Sequence, residues 1–239
     1  MRARMKLIVW WMLAVLLAGA FASLGLWQSR RAVEKQSLLA EVDAVLAHRT
    51  PASLAAAADP THARAVEWAA GEGTFDARGP LWLDNQQRDG RVGVRAYRIF
   101  VPHQGAAMLV DLGWLPLPGD RALPAIERPQ GVVTLRGLLA PPPSPGLALG
   151  PALSRQGDGW LMARVDMAEI GRQTGLSVPL APRVLRLDPD LPMGYARDLT
   201  LLSNTLPPEK HRGYAVQWFA LALTVLATAL ILTFRRKTR

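Results

Sequence analysis

Residues 7–27 read LIVWWMLAVLLAGAFASLGLW, and residues 214–234 read YAVQWFALALTVLATALILTF. Each run has 21 residues and contains no Asp, Glu, Lys, Arg or His. At ~1.5 Å of rise per residue, a helix of that length matches a hydrocarbon core of ~30 Å, and a helix satisfies its own backbone in lipid. The two runs predict transmembrane helices at 7–27 and 214–234, with short tails at 1–6 and 235–239. The 186 residues between them, 28–213, are expected to form one globular segment.

Charge gives an orientation. Arg2, Arg4 and Lys6 precede the first run, Arg235, Arg236, Lys237 and Arg239 follow the second, and neither tail holds an acid. The tails thus supply +7 of the net +9, which reads as a topology signal and not as a nucleic-acid footprint. Basic flanks face the cytoplasm, and long loops translocate largely regardless of charge. Both termini are therefore expected in the cytoplasm and the 28–213 domain outside it, with membrane lipid as a partner and no nucleic acid. A rival reading is a signal peptide cleaved at Ala20-Phe21-Ala22. The apolar run continues through Leu24 and Leu26 to Trp27, longer than a signal core, so a retained anchor is expected. The absence of Cys excludes a disulfide framework, a thiolate metal site and a haem-attachment motif.

Between the spans, Ser29–Arg49 carries Val33, Leu38, Leu39, Val42, Val45 and Leu46 at roughly helical spacing, and an Ala-rich connector, Pro51–Pro60, follows. Short runs punctuated by Gly and Pro come next: 66–75, 81–83, 95–101, 107–114, 132–139, 160–165 and 184–187. They predict a mostly antiparallel sheet, closed or sandwiched, with Trp82 and Trp114 in its core. Asp166 as N-cap and Gly175 as stop bracket one minor helix, Met167–Thr174. Pro141-Pro142-Pro143 with Pro145 predicts an exposed loop.

The chain contains no phosphate-cradling Gly loop, no His-Glu-x-x-His and no Gly-x-Ser-x-Gly elbow, so no enzyme chemistry is expected. Asp84 with Asp89, and Asp188 with Asp190, lie among turn formers and read as turn and capping residues. His48, His62 and His103 read as surface imidazoles. His211 differs, because it stands three residues before the second span. If that helix starts early, His211, Tyr214 and Trp218 share a face at i, i+3 and i+7. They could be headgroup residues in an aromatic belt with Trp27, or a haem-iron ligand with its packing aromatics. Spacing does not choose between these.

Leu24-Gly25-Leu26-Trp27-Gln28-Ser29-Arg30 resembles the opening signature of the Surfeit locus protein 1 family, the cytochrome c oxidase assembly factors. Leu83-Asp84-Asn85 with Gly90, Gly93, Pro102, Leu109-Val110 and Gly113-Trp114-Leu115-Pro116 resembles its central block. Gly159-Trp160, Asp166, Gly175-Leu176 and Pro179 resemble its later block, and His211-x-x-Tyr214-Ala215-x-x-Trp218-Phe219-x-Leu221-Ala222 its closing motif. Departures fall at Gln86, Val94, Asp111-Leu112 and Glu209-Lys210, where the family usually carries Arg, Tyr, Asn-Arg and Asn. The resemblance implies a multi-pass protein of the bacterial inner (plasma) membrane with its main domain in the periplasm. It implies work with the haem a synthesis machinery to help haem a reach, or stabilise, subunit I of cytochrome c oxidase. Haem a would be a transient cofactor, His211 its iron ligand, and Tyr214, Trp218 and Trp27 its neighbours. The alternative is a scaffold for oxidase subunits that binds no haem.

Overall fold

No Gly or Pro interrupts the chain from Gln28 to Arg49, so nothing ends the first apolar helix where the hydrocarbon would end. In the computed structural model, which describes residues 2–144, 150–201 and 205–237, the apolar run and the polar stretch after it form one helix, α1 (Arg2–His48). Pro145 of the expected proline loop lies outside the described residues, as does Arg239, and the side chains of Arg2, Arg4, Arg236 and Lys237 are likewise not described. Residues 28–40 therefore belong with the helices. The chain divides into a helical unit, Met1–Ala40 with Thr205–Arg239, and a sheet unit, Glu41–Asn204, a narrower stretch than the 28–213 segment expected from sequence.

The helical unit pairs α1 with the last helix, α3 (Pro208–Lys237), and both are long and apolar enough to cross a membrane. On α1 the residues turned from solvent are Trp11, Ala14, Ala18, Phe21, Gly25, Gln28, Ala32 and Lys35, spaced alternately by three and four, with Ala22 and Ser29 at the margin. On α3 they are Pro208, His211, Ala215, Trp218, Ala222, Val225 and Ala229, with the same alternation and with Phe219 and Thr233 at the margin. That 3.5-residue period is the seam of a left-handed coiled coil. Trp11 Nε1 donates to Thr233 Oγ1 at 3.0 Å, the rings of Phe21 and Trp218 lie 5.6 Å apart, and Lys35 donates to the Leu206 carbonyl, so the helices run antiparallel. Small residues at every seventh position, Ala18-Gly25-Ala32 and Ala215-Ala222-Ala229, permit close approach, as membrane helix pairs require. Gly25 marks the tightest point: a Cβ there would stand 2.8 Å from the Phe219 ring.

The sheet unit is a barrel. After β1 (Ala52–Ser53) come β2 (Glu67–Phe75), β3 (Leu81–Arg88), β4 (Arg91–Pro102), β5 (Met108–Pro116), β6 (Val133–Ala140), β7 (Leu153–Gln156), β8 (Gly159–Met162) and β9 (Val184–Leu187). The ring runs β2–β6–β9–β5–β4 and closes where Gly73, Thr74 and Phe75 of β2 pair with Pro102, Val101 and Phe100 of β4. Of the ring pairs only β5–β9 is parallel. Closure removes the open edges that these strands would otherwise expose. β4 serves two layers at once. Val94, Ala96 and Phe100 fill the barrel with Phe75, Met108, Leu135, Leu139 and Leu185, whereas Tyr97 and Ile99 face a second core. That core lies beneath β3, β8 and the minor helix α2 (Met167–Thr174), and includes Trp160, Met162 and Ile170. Asp166 Oδ1 accepts the Glu169 amide at 3.0 Å, and Gly175 ends α2 at φ +69°, both as the sequence indicates. Trp82 and Trp114 are buried.

Candidate functional site

α3 begins at Pro208, early enough to carry His211 inside the helix and onto the seam. His211 is 6 % exposed. Its Nδ1 lies 2.6 Å from Oε1 of Gln28, so the motif that opens the chain and the motif that closes it meet in one hydrogen bond. An amide oxygen only accepts, and Nδ1 is therefore the protonated nitrogen. Nε2 keeps its lone pair, is sealed from solvent, and has no hydrogen-bond partner among the described residues. An unpaired buried polar atom costs about 1–3 kcal/mol. The pattern of one ring nitrogen fixed by an oxygen acceptor and the other free is that of a metal-binding imidazole.

Of the residues expected around it, Trp218 lies on the seam, its ring tilted 32° to that of Phe21. Tyr214 and Trp27 do not share that position, being 40 % and 56 % exposed. The partners missed in the sequence are Gln28 and Phe21, which are seven apart on α1. The 3-4 spacing through Gly25 places both on one helix face, but nothing in the sequence names the residues that face them. His48, His62 and His103 are exposed, against the Ala44 carbonyl, Asp59 and Glu72 respectively. Among the described residues, no group of three His, Cys, Asp or Glu side chains could hold a metal ion. A lone imidazole suits an iron that brings its other ligands with it, as a porphyrin iron does.

A second concentration of buried charge occupies the outer face of the barrel. Asp111, 2 % exposed, receives Arg95 Nε at 2.9 Å and lies 3.4 Å from Arg186 Nε; Tyr97 Oη donates to the same carboxylate at 3.4 Å and the Gly113 amide at 3.0 Å. Burial, followed by the Asp111 charge, pushes the Tyr97 phenol well above its ordinary range, so it remains a donor. Arg186 also donates to the Thr200 carbonyl, and Arg88 pairs with Asp198 at 3.0 Å. Asp188, expected as a turn residue, does accept the Asp190 amide at 3.1 Å, but it is buried as well and takes Arg136 Nε at 2.6 Å. Asp84 accepts the Asn85 amide and pairs with Arg121. In these clusters each carboxylate is engaged by one or more guanidiniums, and they fasten strands to loops.

Two helices able to span a bilayer and a closed, mostly antiparallel barrel define a two-span membrane protein with one folded domain between the spans. The chain belongs to the SURF1 family, whose model matches residues 15–223 and so includes the barrel, Gln28 and His211. It is a family of cytochrome c oxidase assembly factors and not a catalytic one. No curated protein matches the chain.

Proposed function

We propose that this protein assists the assembly of cytochrome c oxidase by holding haem a at His211 before the haem enters subunit I. The observation that carries the reading is the orphaned, buried Nε2 of His211, with Nδ1 fixed by Gln28. When bound, the haem would supply an iron that accepts the Nε2 lone pair. Gln28 holds the ring and its tautomer, while Phe21 and Trp218 offer apolar surface one heptad away on the same seam. A single neutral ligand suits a carrier that must let go, and no nucleophile or general base is called upon.

The protein sits in a bacterial inner membrane with both termini in the cytoplasm, His211 at the outer interface and the barrel in the periplasm. The spans belong to 7–27 and 214–234, and α1 continues beyond the lipid. The test is an absorption spectrum of the full chain purified in detergent from cells that make haem a. We expect a Soret band that His211→Ala abolishes, that Gln28→Ala shifts, and that Ala at His48, His62 or His103 leaves unchanged. If the wild-type protein shows no such band, the protein is a scaffold for oxidase subunits and not a haem carrier.

A further inference from the structure

Lys35 is the anomaly of the helical unit. It sits on the α1 seam one heptad beyond Gln28, roughly 10 Å further along the helix, and is only 9 % exposed. Buried ammonium groups are normally matched by a carboxylate. Among the described residues Lys35 has none: its one acceptor is the neutral Leu206 carbonyl. Arg183, the most buried cation of the sheet unit, shows the usual arrangement, with Glu67 at 2.6 Å.

The other cations near the start of α3 are already engaged or solvated. Arg31 pairs with Glu34 at 2.9 Å, Arg212 donates to Gln36, and Arg30 and Lys210 are exposed. Lys35 and Arg31 are the two charges whose fields reach His211. A buried cation without a carboxylate thus lies about one heptad from a buried imidazole whose Nε2 has no partner among the described residues, and one ligand with a metal centre and an anionic arm would complete both.

We infer that Lys35 binds a carboxylate of the molecule whose iron His211 ligates, which makes the cargo an amphiphilic iron porphyrin recognised through its free acid side chains. The inference rests on the haem reading of His211. It assigns Lys35 as a binding residue that selects the free-acid porphyrin over neutral relatives. A charge-assisted hydrogen bond of this kind corresponds to roughly tenfold or more in affinity.

The experiment titrates the full chain in detergent with ferric protoporphyrin IX and with its dimethyl ester, followed by the Soret band. The wild-type protein should bind the free acid at least roughly tenfold more tightly than the ester. Lys35→Met should erase that preference by weakening the free acid alone, and Lys35→Arg should restore most of it. His211→Ala should lose the band with both probes. Equal wild-type affinity for the two probes, or equal weakening of both by Lys35→Met, overturns the role of Lys35 while the haem site stands. Binding of neither probe by the wild-type protein overturns the haem site and the inference together. The free-acid-to-ester ratio in the wild-type protein decides the question even if Lys35→Met does not fold.

Discussion

Replacing Asp111 with Ala should destabilise the barrel severely, because the carboxylate is the shared partner of two buried guanidiniums. At an effective dielectric constant of ~20, the Arg95 contact at 2.9 Å is worth about 6 kcal/mol and the Arg186 contact at 3.4 Å about 5 kcal/mol before desolvation. Desolvation of three ions costs several kcal/mol each and offsets most of that, so the intact cluster contributes little net stability. Loss of Asp111 alone is a different matter: the desolvation of Arg95 and Arg186 remains and their compensation goes, at a cost of about 3–5 kcal/mol. For a domain of this size each kcal/mol lowers Tm by about 2–4 °C, giving a fall of about 6–20 °C. The assay is thermal unfolding of the full chain in detergent, followed by the fluorescence of the buried Trp68, Trp82, Trp114 and Trp160. Asp111→Asn, which keeps one of the two acceptor oxygens and removes the charge, should fall between. The triple change Asp111→Leu, Arg95→Met, Arg186→Met should recover much of the loss, since no uncompensated ion remains. A Tm for Asp111→Ala within about 2 °C of wild type would show that water or a mobile side chain already solvates the two guanidiniums, and the argument would fail.

Three further outcomes follow from the same structure. Burial alone would raise the carboxyls of Asp188 and Asp198, but hydrogen bonds from Arg136 and the Asp190 amide in one case, and from Thr200 in the other, hold both below the ordinary carboxyl range. Their contribution is therefore complete above about pH 4 and drains away as pH falls through the lower folded values; Tm measured from pH 6 to pH 3 should drop, and less so in Arg136→Gln. Gly137→Ala would place a Cβ 2.0 Å from the Arg186 carbonyl across the β6–β9 pair, so it should cost about 1–3 kcal/mol or prevent folding, and a wild-type melting curve would contradict the register. Reporter fusions at either terminus should report cytoplasm, and one inserted between Pro142 and Pro143 should report periplasm, so a periplasmically active terminal fusion would overturn the orientation.

What the sequence displayed was periodicity and punctuation, and what it concealed was pairing. Seven runs between Gly and Pro signals correspond to β2, β3, β4, β5, β6, β8 and β9, and the Asp166 and Gly175 caps bracket α2. β7 was missed because Leu153-Ser-Arg-Gln has one buried residue in four, too little apolar content to register. The choice between barrel and sandwich was not legible either, because it depends on three residue pairs between β2 and β4, whose partners stand 25 to 29 residues apart and share no local signal. β4 reads Val94-Arg95-Ala96-Tyr97-Arg98-Ile99-Phe100, and its arginines disguise a strand buried on both faces; Arg95 meets Asp111 outside the barrel, while Arg98 reaches the Ile126 and Glu127 carbonyls. In the candidate site His211 was legible from its position beside a span. Gln28 was not, because a polar residue next to an apolar run resembles any helix end until the opposing helix is in place.

A structural role for Gln28 and His211 competes with a binding role, and one prediction separates them. A lone polar pair at seam positions is a known device for fixing the register of paired helices. If register were the purpose, the hairpin would already be specified elsewhere: the Gly25–Phe219 contact, the Phe21–Trp218 pair and the Trp11–Thr233 bond all fix the same antiparallel alignment. Gln28 and His211 would then add a hydrogen bond worth about 0.5–1.5 kcal/mol and carry an unsatisfied Nε2 that costs about 1–3 kcal/mol. The double change Gln28→Leu, His211→Leu removes both terms and adds apolar contact, so it should leave the hairpin as stable as wild type or up to about 2 kcal/mol more stable. The same variant should bind no haem and fail to support oxidase assembly. Stability is read from denaturation of the full chain in mixed detergent, and assembly from oxidase activity and haem a content in the membrane. Loss of more than about 2 kcal/mol would assign the pair to the fold, because a polar pair retained for binding is one whose removal the fold does not register.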